Sequence, residues 1–576
     1  MTNTDIAAVF EQIADLLEFQ GANTFRVRAY RSAGRTVRAL EEPVADIAAD
    51  PERKLTAIDG IGKDLAEKIA VLLDTGTLPM LDELLEKVPR TVLAVMRVPG
   101  LGPKRAAVLH RELGVSSLDD LRRACEDRRV RELPGFGAKT EQKILDGLEI
   151  AAEADQRMLW VTADDIVASL TDHLSQCPAV ERLEAAGSYR RRCETVGDID
   201  LLAIASGEGA GDVDAVMDCL GAYPDVAETL LRGETKMSVR LRDGIQVDLR
   251  VLAEESFGAA LVYFTGSKEH NVVLRGRAKK QGLKVSEYGV FRDQEQIAGR
   301  AEEDVYAAVG LPWFPPELRE ARREFEWADA DALPRLIELS DIRGDLHMHT
   351  TWSDGVASIR TMALTARDRG YEYIAITDHS QRVSVAGGLD ADRLRRQWEE
   401  VDQIDQELSD IQVLKGVEVD ILERGGLDLP DDVLAGADWV VASVHFGQKQ
   451  SEAEITRRIV DALANPNVSA IAHPTGRMLL QREPYRVDLD AVMSAARDHG
   501  KLLELNASPN RLDLSDIACA QAKAMGVPIV ISTDSHRPER LPAMRLGINQ
   551  ARRGGLTAND VANTRAWNDL RTIIGR

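Results

Sequence analysis

The sequence predicts a multidomain chain with an all-α N-terminal region, an α+β middle and a C-terminal β/α barrel. Three observations carry this. A Gly-apolar-Gly turn leading into a helix recurs three times in the first 150 residues. Alternating strands in the middle carry carboxylates, with Asp198 and Asp200 two residues apart. From Asp345 onward, apolar runs end in histidines or carboxylates, and helical stretches separate most of them. A chain of 576 residues has room for about three or four domains with cores of their own.

Composition excludes several classes. With 44% hydrophobic and 29% charged residues the chain is neither disordered nor fibrous. No apolar run approaches a membrane span, and the start MTNTDIAAVFEQ lacks the basic and apolar regions of an export signal, so a cytoplasmic protein without a membrane partner is expected. Cys125, Cys177, Cys193, Cys219 and Cys519 are odd in number and form no CxxC, which predicts reduced thiols. The net charge of −23 argues against a basic coat. Basic charge is local instead. Arg26, Arg28, Arg31, Arg35 and Arg38 fall in residues 21–40, and Arg275, Arg277, Lys279 and Lys280 in 271–280, with no acid in either stretch. Each could follow a phosphate backbone or be a solvated helix face.

The repeated turns are IDGIGKDLAEKI (58–69), VPGLGPKRAAVLH (98–110) and LPGFGAKTEQKIL (133–145). The pairs Gly60 and Gly62, Gly100 and Gly102, and Gly135 and Gly137 allow a tight turn whose amides open at a helix N-terminus, a place for a phosphate. The apolar residue between them can plug the turn into a core. Three copies read as helix-hairpin-helix motifs, which grip DNA backbone without reading sequence.

From about 155 to 310 the pattern is mixed. ERLEAAGSY, DIDLLAIA, KMSVRLRDG and IQVDLRVLA are strand candidates, the last two joined by a hairpin-closing Arg-Asp-Gly turn. Residues two apart on a strand share a face, so Asp198 and Asp200 converge and repel unless a cation lies between them. Asp248 on a neighbouring strand would be a third carboxylate, and Gly187-Ser188 with Arg190 to Arg192 would suit a polyphosphate. LVYFTGSKEHN (261–271) reads as an apolar strand ending in a glycine turn. Clustered prolines in 311–340 mark a stiff linker that holds the next domain.

The last region opens with HMHTTWSDG, supplying His347, His349 and Asp354. Further runs end at His379, Glu418, His445 and His473, and the last at Asp534 and His536. Strand, ligand, helix in repetition is the signature of a barrel with its site at the strand C-termini. Nitrogen and oxygen ligands without cysteine suit two or three Zn2+, Mn2+ or Fe2+ ions. His110, His173, His270 and His499 fall outside the set and read as ordinary surface or core residues.

In their order the glycine hairpins, GSYRR, GDIDLL, VDLRV and YFTGS make residues 1 to about 310 resemble the family X DNA polymerases of the polymerase beta type. Residues 341–576 resemble the PHP (polymerase and histidinol phosphatase) domain, with all nine ligand positions present. The resemblance implies a helical DNA-binding, lyase-like domain (1–90), a helix-hairpin-helix domain (91–155), an α+β nucleotidyltransferase palm (156–255), a nucleotide- and template-binding subdomain (256–315), a linker (316–340) and a distorted β/α barrel (341–576). It implies that Asp198, Asp200 and Asp248 bind two Mg2+ or Mn2+ ions. Ser188, Arg191 and Gly197 would contact the phosphates of a dNTP, Tyr263, Phe264 and Gly266 its sugar, and Asn271 its base, with Arg275 at the template. Phe264 could equally be a core aromatic. The six hairpin glycines would bind DNA. Lys68 matches the Schiff-base lysine of a 5′-sugar-phosphate lyase, with Arg26 and Lys63 at the phosphate. Ser32 and Asp64 nevertheless stand where basic residues are expected, and Lys268 stands where the beta type has an acid. In the barrel, Asn506, Arg511 and Arg477 would contact phosphate.

The implied protein is a monomeric polymerase that fills gapped or nicked DNA in base excision repair, alongside other repair proteins. Its 3′-5′ exonuclease, with 3′-end processing and abasic-site endonuclease activity, would reside in the barrel. Two other readings stand beside it: a histidinol-phosphatase-like small-molecule phosphoesterase with a degenerate polymerase half, and a non-catalytic DNA-end binder.

Overall fold

The computed structural model describes residues 3–575 apart from 40–43, 50–52, 59, 76–77, 89–90, 99–100, 146–147, 149–156 and 208. The chain forms two compact units, Met1–Gln156 and Arg157–Arg576.

The first unit is helical among its described residues. Helices Asn3–Phe19 and Thr24–Ala39 pack against each other through Phe10, Ile13 and Tyr30. The three turns are built alike. Ile61, Leu101 and Phe136 are buried in the common core, and their amides donate to Ile58, Val98 and Leu133, each at 3.0 Å. The apolar plug thus fixes the turn and leaves its rim outside. Gly60, Gly102 and Gly135 hold positive φ, where a side chain would be strained. Gly100 lies outside the described residues.

Among the described residues, the strands all lie in the second unit. These are β1 (Met158–Leu159), β2 (Val180–Ala185), β3 (Thr195–Val196), β4 (Asp198–Ala205), β5 (Val226–Arg232), β6 (Lys236–Leu241), β7 (Gln246–Val251), β8 (Leu283–Ser286), β9 (Gly289–Arg292) and β10 (Glu295–Ala298). The barrel follows as β11 (Gly344–Asp345), β12 (Tyr373–Ile376), β13 (Gln412–Asp420), β14 (Trp439–Ser443), β15 (Ala470–Ile471), β16 (Leu502–Asn506) and β17 (Ile529–Ser532). A five-stranded sheet has the order β2-β4-β7-β6-β5, and β4 pairs with β7 in parallel with Asp200 opposite Asp248. Leu201, Leu202 and Ala203 are all buried, as a central strand covered on both faces requires.

Three expectations are corrected. The strand predicted over 181–189 ends at Ala185, and Gly187–Arg190 is a helical turn. The run around Tyr263 is not a strand but the helix Phe257–Thr265, followed by the helix Lys268–Lys280. That first helix packs Ala259 and Val262 into one core and Phe257, Ala260 and Leu261 into another. A segment buried all round has no polar face, so periodicity does not separate it from a strand. Third, Cys177 and Cys219 are disulfide-bonded, with Cα atoms 6.4 Å apart, while Cys125, Cys193 and Cys519 are free. The fold brings together two cysteines 42 residues apart, a proximity that spacing alone does not reveal.

Within the proline-rich stretch 311–340, Leu318, Arg319 and Phe325 are all buried. In the barrel, β11 to β17 run parallel in chain order. The two ends approach through a parallel bridge between Met348 and Ser535, where the His349 amide donates to the Ser535 carbonyl at 2.8 Å. This nearly closed ring gathers the strand C-termini, and with them the predicted ligands, into one volume.

Candidate active sites

The first site opens where β4 emerges from the sheet. A cleft of about 420 Å³ is lined by Ser188, Arg191, Asp198, Asp200, Tyr263, Phe264, Gly266, Asn271 and Arg275, together with Arg157, Gly187, Ser267 and Lys268. Nine predicted residues therefore share one cleft. Gly197 does not line it, and Asp248 joins through the strand register beside Asp200. Gly187 is required: at φ +62°, a Cβ would lie 2.5 Å from Asp200 Oδ2.

Burial, reinforced by Asp198 and Asp248, pushes the Asp200 carboxyl up to about 7. Asp248 behaves oppositely. Burial works against its ionisation, but hydrogen bonds from Ser238, Lys236 and Gln246 outweigh it and lower its pKa. Lys236 Nζ is 3.0 Å from Asp248 Oδ2 and Gln246 Nε2 is 3.0 Å from Oδ1. Three converging carboxylates, one of which resists ionisation beside the others, are an oxygen-only donor set that fits a hard divalent cation.

The cleft side chains are held from behind. Arg191 Nη1 donates to the Thr265 carbonyl at 2.6 Å, and its Nε is 3.1 Å from Glu320 Oε1. Asn271 Nδ2 donates to the Tyr263 carbonyl at 2.8 Å, and Arg275 Nε to that of Asn271 at 3.2 Å. Phe264 serves both readings, lining the cleft while packing on the core around Leu202, with the Arg250 guanidinium 4.2 Å above its ring. Arg157, which no motif singles out, donates to the Thr195 backbone carbonyl at 2.7 Å.

The second site lies at the strand ends of the barrel. Three ligand groups have atoms within 4.8 Å of one another: His349, Asp354, His379 and His536; His347, His349 and Asp534; and His379, Glu418 and His445. His349 and His379 are shared between groups. His473, the ninth predicted ligand, places Nε2 3.0 Å from Glu418 Oε1. The buried ligand atoms face one another: His379 Nδ1 lies 2.7 Å from Glu418 Oε2, His349 Nε2 3.2 Å from Asp534 Oδ1 and His347 Nε2 3.6 Å from Glu418 Oε2, while His473 Nδ1 makes no hydrogen bond. Imidazole nitrogens and carboxylate oxygens buried this close together are a donor set that fits cations taking up their lone pairs.

The electrostatics agree. Burial opposes ionisation of Glu418, Asp534 and Asp354, yet the surrounding histidines hold all three carboxyls well below the usual range. Burial disfavours charge on His379, but Glu418 and Asp354 raise it to about 10, whereas burial with His536 and His379 beside it depresses His349 to about 3. Protons on some imidazoles thus stand where positive charge is wanted. His473 and Asp534 also hold positive φ, a strain kept at functional positions.

Supporting residues escape the sequence reading. Glu504 is fully buried, with Oε1 2.6 Å from His347 Nδ1 and Oε2 accepting from the His473 amide at 2.7 Å. Asp420 Oδ1 lies 3.2 Å from His445 Nδ1. The alternation in LLELN and VEVD, with an acid two residues from another polar group, is the one available signal. Asn506 Nδ2 is 3.1 Å from Asp534 Oδ2, and Arg511 Nε is 3.7 Å from the same oxygen. Arg477 is elsewhere engaged: it pairs with Glu194, just before β3, at 3.2 Å and donates to the Leu512 carbonyl.

In the first unit, the Lys68 amine is ion-paired with Asp64, and Arg26 donates to Met80 Sδ at 3.7 Å. Arg31 is paired with Asp15 and Glu18, which neutralises part of the basic stretch.

Known proteins resemble the chain along its whole length. Residues 1–78 match the helix-hairpin-helix domain and 92–149 the SAM-like helix-hairpin-helix tandem. Residues 260–320 match the DNA polymerase beta thumb, and 345–508 the PHP domain. The chain is 41% identical over 580 residues to the DNA polymerase/3′-5′ exonuclease PolX of Bacillus subtilis (strain 168), covering 100% of both chains. It is 27% identical over 346 residues to DNA polymerase lambda of Rattus norvegicus, covering 55% of this chain and 56% of that one. A probable phosphatase of Thermoanaerobacter sp. (strain X514) is 30% identical over 233 residues, covering 38% of this chain and 89% of its own. Matched end to end by the Bacillus subtilis relative, with the polymerase beta thumb and the PHP domain both present, this protein belongs to the family X DNA polymerases that carry a C-terminal PHP domain.

Proposed function

We propose that the chain is a DNA-directed DNA polymerase that fills short gaps in base excision repair, and that its barrel is a 3′-5′ exonuclease. Abasic-site endonuclease and 3′-end processing are assigned to the same barrel site. The observation that supports this is a carboxylate-lined cleft and a separate histidine- and carboxylate-rich cluster on a chain alignable over its full length with a DNA polymerase/3′-5′ exonuclease.

In the polymerase cleft, Asp198, Asp200 and Asp248 would hold two Mg2+ or Mn2+ ions, which when bound acidify the primer 3′ hydroxyl and neutralise the triphosphate. Asp248, kept ionised by Lys236 and Gln246, is the carboxylate suited to face that hydroxyl. Ser188 and Arg191, with Arg157 added to the predicted set, line the cleft where the phosphates would lie. Tyr263, Phe264 and Gly266 form the wall for the sugar, and Asn271 and Arg275 approach base and template. Gly197, which precedes Asp198 between β3 and β4, does not line the cleft.

In the barrel, His347, His349, Asp354, His379, Glu418, His445, His473, Asp534 and His536 would hold two or three Mn2+, Zn2+ or Fe2+ ions, which when bound activate water and stabilise a leaving oxygen. Glu504 and Asp420 orient His347 and His445. Asn506 and Arg511, beside Asp534, are placed for a scissile phosphate; Arg477, engaged with Glu194, is not.

The substrates are gapped or nicked DNA and dNTPs, and the hairpin glycines are assigned to DNA backbone. Lys68 remains the Schiff-base candidate. We place the domain boundaries at 90, 155, 255, 315 and 340, supported by the unit division at Gln156 and by the thumb and PHP matches. A monomer working on nucleoid DNA in the cytoplasm, beside other repair proteins, completes the reading; no helix among the described residues is long and apolar enough to cross a membrane. The test is a one-nucleotide-gapped duplex with dNTPs and Mg2+ or Mn2+. Gap-stimulated incorporation and metal-dependent removal of 3′ nucleotides are expected, and absence of either refutes the corresponding half.

A further inference from the structure

The polymerase cleft is buttressed by the barrel. Arg553 ends the barrel helix Met544–Arg553 and is buried. Its Nη1 donates to the Arg191 carbonyl at 2.8 Å and to Glu320 Oε1 at 2.9 Å, and its Nη2 to Asp516 Oδ2 at 2.9 Å. The same Glu320 Oε1 is 3.1 Å from Arg191 Nε. One carboxylate oxygen is therefore shared between a cleft arginine and a barrel arginine.

We propose that Arg553 is a positioning residue for nucleotide binding, keeping Glu320 paired so that Arg191 can leave it for the triphosphate. This rests on the assignment of Arg191 to the phosphates. Charge balance supplies the reason. Glu320 is largely buried, with 16% of its side chain exposed, and a carboxylate there is costly once unpaired. If Arg191 were its sole partner, turning toward a triphosphate would strand that charge. Arg553 remains behind and holds it, while its bond to the Arg191 carbonyl fixes the backbone from which the side chain swings. The nuclease barrel thereby sets the dNTP affinity of the polymerase without contacting nucleotide.

The experiment is steady-state single-nucleotide incorporation by the full-length chain on a gapped duplex. Arg553→Met is expected to raise the KM for dNTP about fivefold, the low end of typical coupling between sites, with kcat little changed. Arg553→Lys, which keeps the charge, stays within about twofold of the parent on the same scale. The double variant Arg553→Met with Glu320→Gln returns toward the parent, because a neutral amide needs no counter-charge. Should Arg553→Met fail to fold, Glu320→Gln alone serves, with a KM expected below that of the parent. A merely structural Arg553 would instead lower kcat and exonuclease rate together and make the double variant worse than the single; that result, or a parental KM in Arg553→Met, overturns the proposal. Arg191→Gln separates the two levels. A raised KM there with a parental KM in Arg553→Met refutes only the coupling, whereas a parental KM in Arg191→Gln refutes the phosphate assignment on which it rests.

Discussion

Replacing Asp200 with asparagine should stabilise the metal-free protein, and more so at higher pH. The Asp200 carboxyl is pushed up to about 7 from 3.8, chiefly by burial and then by Asp198 and Asp248. Such a carboxyl binds its proton more tightly folded than unfolded. Between pH 3.8 and 7 unfolding therefore releases a proton, and stability falls as pH rises until the folded group has itself ionised. At about 1.4 kcal/mol per pH unit, the penalty grows by about 3 kcal/mol between pH 5 and pH 8. Asp200→Asn removes this titration while keeping the shape of the side chain. In chelator, the melting temperature of the variant relative to the parent should rise between pH 5 and pH 8 by roughly 3 °C for a unit of this size. Adding Mg2+ or Mn2+ should raise the parent at pH 8 more than the variant, because a cation offsets the repulsion that the asparagine lacks. Parallel pH profiles for the two proteins in chelator would refute the view of this triad as a frustrated, cation-seeking cluster.

Glu504→Gln should weaken metal binding in the barrel by about 10- to 100-fold by loosening His347, read as metal content after dialysis against a chelator series. Unchanged occupancy would mean Glu504 has no orienting role. Lys68→Ala should abolish borohydride trapping on an incised abasic duplex, and undiminished trapping would remove Lys68 as the lyase nucleophile. Chelation should lower the melting temperature of the parent, since the ligands gathered around His347, His349 and His379 only by folding lose the cations that bind the folded state. An identical melt with and without metal would contradict the barrel assignment.

The legible parts of this molecule are those governed by short periods. Asp198 and Asp200 share a strand face by alternation, and the nine barrel ligands fall at successive strand ends because a parallel ring repeats one unit. Ile61, Leu101 and Phe136 are readable as turn plugs because the same Gly-apolar-Gly unit recurs around each. Alternation along β4 and β7 does not say which residue of one strand faces which of the other, so the parallel register that sets Asp200 beside Asp248 comes from the fold. The helix Phe257–Thr265 reads as a strand because both of its faces are buried. Partners far apart in sequence leave no local trace: the Cys177–Cys219 bond, the fully buried Glu504 behind His347, and Glu194, which lies 283 residues from Arg477. No local pattern announces that an arginine will face another domain rather than a phosphate.

The central claim is that two independent centres act on DNA. It is tested most directly by measuring gap filling and 3′-end removal on one duplex with Asp198→Ala and His347→Ala. Asp198→Ala should lose nucleotide addition and retain 3′-end removal, and His347→Ala should do the reverse. Loss of both activities in both folded variants would contradict the account.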